Sequence, residues 1–276
     1  MVADYHVHTS YCGHARGEIH EYIERAVSIG LDEIGFTDHL GRYYLSKSQR
    51  KKHWDWGIKD HDLPEYFDTL SKMKEKYKDQ ITVKIGLEID YIKGAEETAS
   101  EIMTRFPLDY TICSIHSLPG IGPKHLYQYK DRDPLPIYTE YFSAANDALK
   151  CGIFRVLAHL DFIWRYIPWP VEYSQQIYQN IKKTVETAAN SPTLMEINVN
   201  GFIGEFQNKI SNIRPFSFMT EEIARRNTGI TIGSDAHEPK AVGYMFSEMF
   251  EYLTKQGIKT FCTFDDRDVL IHKIPL

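Results

Sequence analysis

Short apolar segments alternate with longer amphipathic ones from one end of the chain to the other. Seven of the short segments read as strands: Ala3–His8, Glu33–Thr37, Thr82–Ile89, Tyr110–Ile115, Arg155–His159, Leu194–Val199 and Gly229–Gly233. Each is enriched in Val, Ile, Leu, Tyr or Phe and is bounded by turn or polar residues. Between them, apolar residues recur at three- and four-residue spacing. Ile19, Ile23, Ala26 and Val27 trace one face of a helix that stops at Gly30. Leu63, Phe67, Leu70, Met73 and Tyr77 trace another, with lysines on the opposite side. Glu140–Lys150, Glu172–Ala189, Met219–Arg226 and Gly243–Gln256 behave in the same way.

Seven strand–helix units without a break in composition predict one domain over residues 1–276, built on a parallel sheet. Such a sheet is either closed into a barrel or open and doubly wound. No GxGxxG follows the first strand, which weakens an open dinucleotide-binding sheet, and seven repeats suit a barrel better. The predicted class is α/β, with the active site of a TIM-like barrel at the C-terminal ends of its strands.

Composition narrows the chemistry. Hydrophobic residues make up 42% and charged residues 25%, as in ordinary globular proteins. The N-terminal MVADYHVHTS lacks a basic-then-apolar secretory pattern, and no apolar run approaches the roughly 18 residues of a membrane span. Cys12, Cys113, Cys151 and Cys262 form no CxxC pair, so neither a disulfide framework nor a thiolate zinc site is expected, and a reduced cytoplasmic setting fits. A net charge of −6 disfavours a general nucleic-acid binder. It leaves room for a small anionic substrate if bound cations supply local positive charge. The chain also carries 12 histidines.

The polar residues best suited to chemistry fall at one end of the predicted strands. His6 and His8 end the first, Asp38 and His39 the second, Glu88 the third, His116 the fourth and His159 the fifth; Asp235 and His237 follow the seventh. In His6-Val7-His8, residues i and i+2 of a strand share a face, so two imidazoles can grip one cation. Alone, such a pair is as readily two half-buried polar residues, but Asp235-Ala236-His237 repeats the spacing on another strand. His14, in the glycine-flanked loop SYCGHARGE, reads equally as a surface histidine or a ligand. A lone His39, His116 or His159 beyond an apolar strand is commonly a hydrogen-bonded residue at the core edge. Glu88, set among Ile85, Leu87 and Ile89, is costly to bury unless paired or metal-bound. Imidazoles and carboxylates without thiolate favour Zn, Mn or Fe, and nine such ligands suit three ions better than one.

The ordered motifs HVHTSYCGHA, GFTDH, GLEIDY, SIHSL, AHLD and GSDAH closely resemble the PHP (polymerase and histidinol phosphatase) superfamily, from about residue 4 to about residue 260. DYHVHTSYCGHARG, EIGFTDH and SDAHEPKAVG are most similar to its stand-alone histidinol-phosphate phosphatases. The resemblance implies a distorted (β/α)7 barrel with a trinuclear metal centre. It places His6, His8, Glu88 and Asp235 on a first ion, Glu88 as a bridge with His116 and His159 on a second, and His14, His39 and His237 on a third. The implied reaction is hydrolysis of L-histidinol phosphate to L-histidinol and phosphate, a late step of histidine biosynthesis, with Glu88, Asp235 and His237 as catalytic residues. A water bridging two ions would attack phosphorus in line.

The resemblance also implies that Arg165, just after His159, grips phosphate. Where the family pattern implies an arginine two residues after the glycine of EINVNGF, this chain has Ile203, and Arg214 is the replacement suggested from the following loop. Asp161 and Glu205, the latter read as a loop residue after strand six, are the expected partners of the substrate's cationic groups. The aromatic segment Tyr43–Trp56 either covers the substrate or packs on the barrel rim. The expected partner is a small-molecule phosphate ester, rather than nucleic acid or a membrane. Other readings are a phosphoesterase for nucleotides, sugar phosphates or phosphotyrosine, a non-catalytic metal-binding module, and a polymerase-type nuclease.

Overall fold

The computed structural model describes residues 1–50, 57–118, 120–206, 213–265 and 268–275. Its centre is a parallel sheet of β1 (Ala3–Val7), β2 (Glu33–Phe36), β3 (Thr82–Asp90), β4 (Tyr110–Ser114), β5 (Val156–Leu157), β6 (Leu194–Asn198) and β7 (Ile230–Gly233), hydrogen-bonded in that order. A helix follows each strand: α1 (Ile19–Ser28), α2 (Leu63–Tyr77), α3 (Glu96–Thr104), α4 (Pro134–Cys151), α5 (Ser174–Ala189), α6 (Pro215–Arg226) and α7 (Phe246–Lys255). Past β7 the chain returns to β1. His8 N–H donates to Ala236 O at 2.9 Å, and Ala236 N–H to His6 O at 3.2 Å. This parallel bridge nearly closes the seven strands into the barrel that the βα alternation predicts.

Every residue of β1, β2, β4, β6 and β7 is buried. Helices cover one face of each strand and side chains from the other strands cover the second, which is why these segments read as nearly continuous apolar runs. Some of the buried polar residues tie the strands together. Asp4 accepts the backbone N–H of Ser234 at 2.9 Å and of Gly243 at 3.1 Å, tying β1 to the chain beyond β7. Gly233 serves the same seam. A Cβ there would collide with Glu196 Oε1 and lie 2.6 Å from His6 Cβ, so glycine leaves the space in which β6 and β1 side chains meet.

Several element boundaries differ from the expectation. α4 starts at Pro134 rather than Glu140, because Asp133 accepts Leu135 N–H at 3.1 Å as an N-cap and proline fits the first turn. α7 starts at Phe246 rather than Gly243, since Gly243 and Met245 both have positive φ, 64° and 56°. The predicted strand Arg155–His159 narrows to Val156–Leu157. Strand six ends at Asn198 and a helix, Val199–Phe206, follows directly, so Ile203 and Glu205 lie on a helix and not in a loop. A C-terminal hairpin, β8 (Thr260–Asp265) with β9 (Asp268–Lys273), was not anticipated. Its Phe264 stacks on Tyr110 with ring centroids 5.2 Å apart and donates its N–H to Tyr5 Oη at 3.2 Å. Among the described residues, no helix is long and apolar enough to cross a membrane.

Candidate metal centre

The C-terminal ends of the strands bring together seven imidazoles and two carboxylates that are scattered from residue 6 to residue 237. Glu88, near the end of β3, lies at the middle. Its Oε2 is 2.7 Å from His39 Nδ1, 3.3 Å from His6 Nε2 and 3.5 Å from His8 Nε2. Its Oε1 is 2.9 Å from His159 Nε2 and 3.5 Å from His116 Nε2. Asp235 Oδ1 approaches His8 Nε2 at 3.2 Å, His237 Nδ1 at 3.6 Å and His6 Nε2 at 3.7 Å. His14 joins from the loop after β1, with its Nε2 2.9 Å from His237 Nε2. Asp235 and His237 do not reach the cluster through strand geometry as their i, i+2 spacing suggested. Asp235 sits in the left-handed region at φ 54°, which turns the chain there.

Burial and charge set the electrostatics. Glu88 is 1% exposed, and burial opposes its charge, but His39, His6 and His116 outweigh burial and hold the carboxyl well below the usual carboxylate range. Burial also disfavours a charged His6, yet Glu196 and Glu88 lift that ring well above an ordinary histidine. His8, with its ring 5.0 Å away, is held well below by burial, His237 and His39. Burial lowers His39 to about 4 against the pull of Glu88.

These groups fit divalent cations. The buried atoms His6 Nε2, His8 Nε2 and Glu88 Oε2 make no hydrogen bond, although polar atoms in such a setting normally find one. His14 Nδ1 faces Cys12 O at 3.2 Å and His237 Nδ1 faces Asp235 O at 2.9 Å, so each ring keeps its proton on Nδ1. Two lone pairs on Nε2 are then left facing each other, an arrangement that a shared cation relieves. Among the described residues, five overlapping triads have all their ligand atoms within 4.8 Å of one another; they include His6–His8–Asp235, His6–Glu88–His159 and His14–His39–His237.

Two of the supporting residues, Glu196 and Asp90, were not found from the sequence. His6 Nδ1 pairs with Glu196 Oε1 at 2.6 Å, and the other oxygen of Glu196 accepts His159 N–H at 2.8 Å. His116 Nδ1 pairs with Asp90 Oδ1 at 2.8 Å. Both carboxylates leave Nε2 of their histidine turned to the cluster, a usual outer support for metal-ligating imidazoles. Asp38 Oδ1 accepts the N–H groups of Thr9 and Cys12 at 2.8 and 3.1 Å, shaping the loop that carries His14. The available signal was alternation, since Asp90 follows Glu88 by two residues and Glu196 lies amid the apolar β6.

Cys12 forms one further triad with His8 and His237. It is a free, buried thiol, pushed up to about 12 by burial and by Asp38, and so stays protonated and poorly nucleophilic. Cys12→Ala is expected to keep turnover within a few-fold of the parent in a steady-state assay. Complete loss would instead point to phosphoryl transfer through cysteine.

The expected substrate residues divide. Arg165 stands at the junction of two hollows. One is the cleft over His14, His39, His116, Asp235 and His237, of about 280 Å³; the other is an adjoining cavity of about 400 Å³. Asp161 lines that cavity with Trp164, Ile203 and Phe216, and its buried Oδ1 makes no hydrogen bond. Burial raises the Asp161 carboxyl to about 6 against the pull of His159 and Arg165. Glu205 borders the same cavity, but its carboxylate caps α6, accepting Phe216 N–H at 2.7 Å and Ser217 N–H at 3.1 Å. Arg214 is drawn to that cap, donating to Ser217 Oγ at 2.9 Å, and lines neither hollow. Tyr43 is buried, with its hydroxyl donating to Asp90 O at 3.2 Å, so this part of the aromatic segment packs on the barrel. Residues 51–56, with Trp54 and Trp56, lie outside the described residues.

Known proteins are similar to this chain along nearly their whole length. A Deinococcus radiodurans protein named probable histidinol-phosphatase is 28% identical over 267 residues, covering 94% of this chain and 95% of its own. The histidinol-phosphatase of Bacillus subtilis is 22% identical over 268 residues, covering 90% and 98%. A crystal structure of a Lactococcus lactis histidinol phosphate phosphatase, complexed with zinc, L-histidinol and phosphate, superposes with a TM-score of 0.79 at 22% identity, covering 98% of both chains. The PHP domain matches residues 4–200, which hold seven of the nine clustered side chains, and the chain belongs to the PHP domain family.

Proposed function

We propose that the chain is a metal-dependent phosphomonoesterase that hydrolyses L-histidinol phosphate to L-histidinol and phosphate. The observation that carries this reading is Glu88, a buried carboxylate facing five imidazoles at the open end of the barrel, with Arg165 bordering the same cleft. His6, His8, Glu88 and Asp235 would hold a first ion, Glu88 with His116 and His159 a second, and His14, His39 and His237 a third. Zinc, manganese or iron bound there supplies a water of lowered pKa and neutralises charge on the phosphoryl oxygens. The relatives' names support the substrate.

The chain's own residues do the rest. Glu196 and Asp90 orient His6 and His116, so the imidazoles need little rearrangement during turnover. Arg165 binds phosphate from the cleft side, where its planar fork suits two oxygens. Asp161 offers a buried carboxyl to the amine or imidazole of the leaving alcohol, while Trp164, Ile203 and Phe216 pack against its apolar part. Because Glu205 is committed to the cap of α6, Asp161 is the carboxyl we assign to the cationic end.

Elemental analysis and a panel of phosphomonoesters test this together. The expected result is two to three equivalents of Zn, Mn or Fe per chain. For L-histidinol phosphate, kcat/KM should exceed that for an aryl phosphate at least about a hundredfold, roughly 2.7 kcal/mol. Less than one equivalent after reconstitution would sink the metal centre. Equal turnover of nucleotide and sugar phosphates would keep the phosphoesterase and remove the named substrate.

A further inference from the structure

His125 ends the short strand Gly122–His125 and stands in the wall of the metal cleft beside His116, Phe162, Arg165 and Tyr166. It is not among the nine clustered side chains, and its position in the sequence carries no strand-end signal. The ring is well fixed. It lies nearly parallel to His116, with centroids 5.8 Å apart at 10°, and meets Phe162 and Tyr166 edge-on at 5.7 and 5.6 Å. Its Nδ1 accepts the backbone N–H of Tyr127 at 3.3 Å, capping the turn Leu126–Tyr129. A ring nitrogen that accepts a backbone N–H carries no proton, so the imidazole is neutral and its single proton is on Nε2. That protonated Nε2 cannot ligate a metal. The wall that Arg165 also lines therefore carries an uncharged imidazole whose one proton is on Nε2.

We propose that His125 binds substrate by donating its Nε2–H to a phosphoryl oxygen of the ester; this rests on the phosphatase reading above. A phosphoryl group offers more acceptor sites than one guanidinium fork can fill. A neutral donor serves one of them without adding a cation beside a centre built to hold several positive charges. The stack on His116 and the bond from Tyr127 hold the donor before substrate arrives, so little side-chain entropy is lost on binding.

The test uses the full zinc-loaded chain in three forms: parent, His125→Phe and His125→Gln. Phenylalanine keeps a flat ring for the stack and removes the donor, whereas the glutamine amide nitrogen reaches close to the Nε2 position and can donate. His125→Phe is expected to lower kcat/KM about 10- to 100-fold for histidinol phosphate and aryl phosphate alike. Affinity for inorganic phosphate by calorimetry should fall by a similar factor at unchanged zinc content, and His125→Gln should recover most of both. Parent-like turnover and phosphate affinity in His125→Phe would overturn the proposal. So would loss of zinc, or an equal fall in both variants, which would mark the Tyr127 turn rather than the donor. A parent chain that turns over no phosphomonoester would sink the underlying reading, and the phosphate titration would still decide His125 separately.

Discussion

Glu88→Gln is expected to lower kcat/KM by at least about a thousandfold, roughly 4 kcal/mol of barrier, while leaving the barrel folded. The substitution changes one oxygen to an NH2 and nothing in shape. Glu88 Oε2 faces His39, His6 and His8, and Oε1 faces His159 and His116, so the carboxylate is the common neighbour of five rings. A neutral amide offers one acceptor where two anionic oxygens stood and loses the charge that offsets repulsion between neighbouring cations. Metal content should therefore fall along with turnover, which elemental analysis of the same preparation measures. Circular dichroism and melting temperature should change little, because the amide can still hydrogen-bond the imidazoles. Near-parent activity in this variant would make Glu88 a structural residue.

Arg165→Met is expected to cost about a hundredfold in kcat/KM, roughly 2.7 kcal/mol, on every phosphomonoester tested. Arg165 borders both the metal cleft and the adjoining cavity, and Asp235 and Asp161 raise its pKa against burial, so it remains a cation at all working pH values. Methionine keeps an unbranched apolar stem and removes the charged fork, whose Cζ lies 5.4 Å from the centroid of the Phe162 ring. The loss should be uniform because phosphate is the part all substrates share. Asp161→Asn should behave differently, reducing histidinol phosphate turnover and leaving aryl phosphate nearly unchanged, because only the former brings a cationic group to the buried carboxyl. A uniform loss in Asp161→Asn, or a selective one in Arg165→Met, would exchange the two assignments.

Much of this arrangement was legible before any coordinates. Short, nearly continuous apolar runs marked all seven barrel strands, because a strand covered on both faces must be apolar almost throughout. The same rule exposed the site: Glu88 among Ile85, Leu87 and Ile89, and His159 after Val156 and Leu157, are polar residues where the pattern demands apolar ones. Boundaries were less legible where local chemistry overrode periodicity, as at the Asp133–Pro134 cap of α4 and the positive φ of Gly243 and Met245. The hairpin Thr260–Lys273 lies past the last barrel helix, and its exposed Val269, Leu270 and Ile271 carry no clean alternation.

By itself the sequence determined the barrel class, the strand ends on which chemistry sits and the side chains available for a metal cluster. These follow from local periodicity and from the cost of burying a charge, both of which are read within a few residues. Only the tertiary structure decided which partners those side chains meet. It set the Glu205 carboxylate on the first turn of α6, drew Arg214 to that cap, joined Glu196 to His6 across 190 residues of chain and set His125 in the cleft wall. Such pairings depend on the register and curvature of a nearly closed sheet, where a carboxylate's role is set by whichever N–H or imidazole lies within about 3 Å, a distance no spacing along the chain encodes.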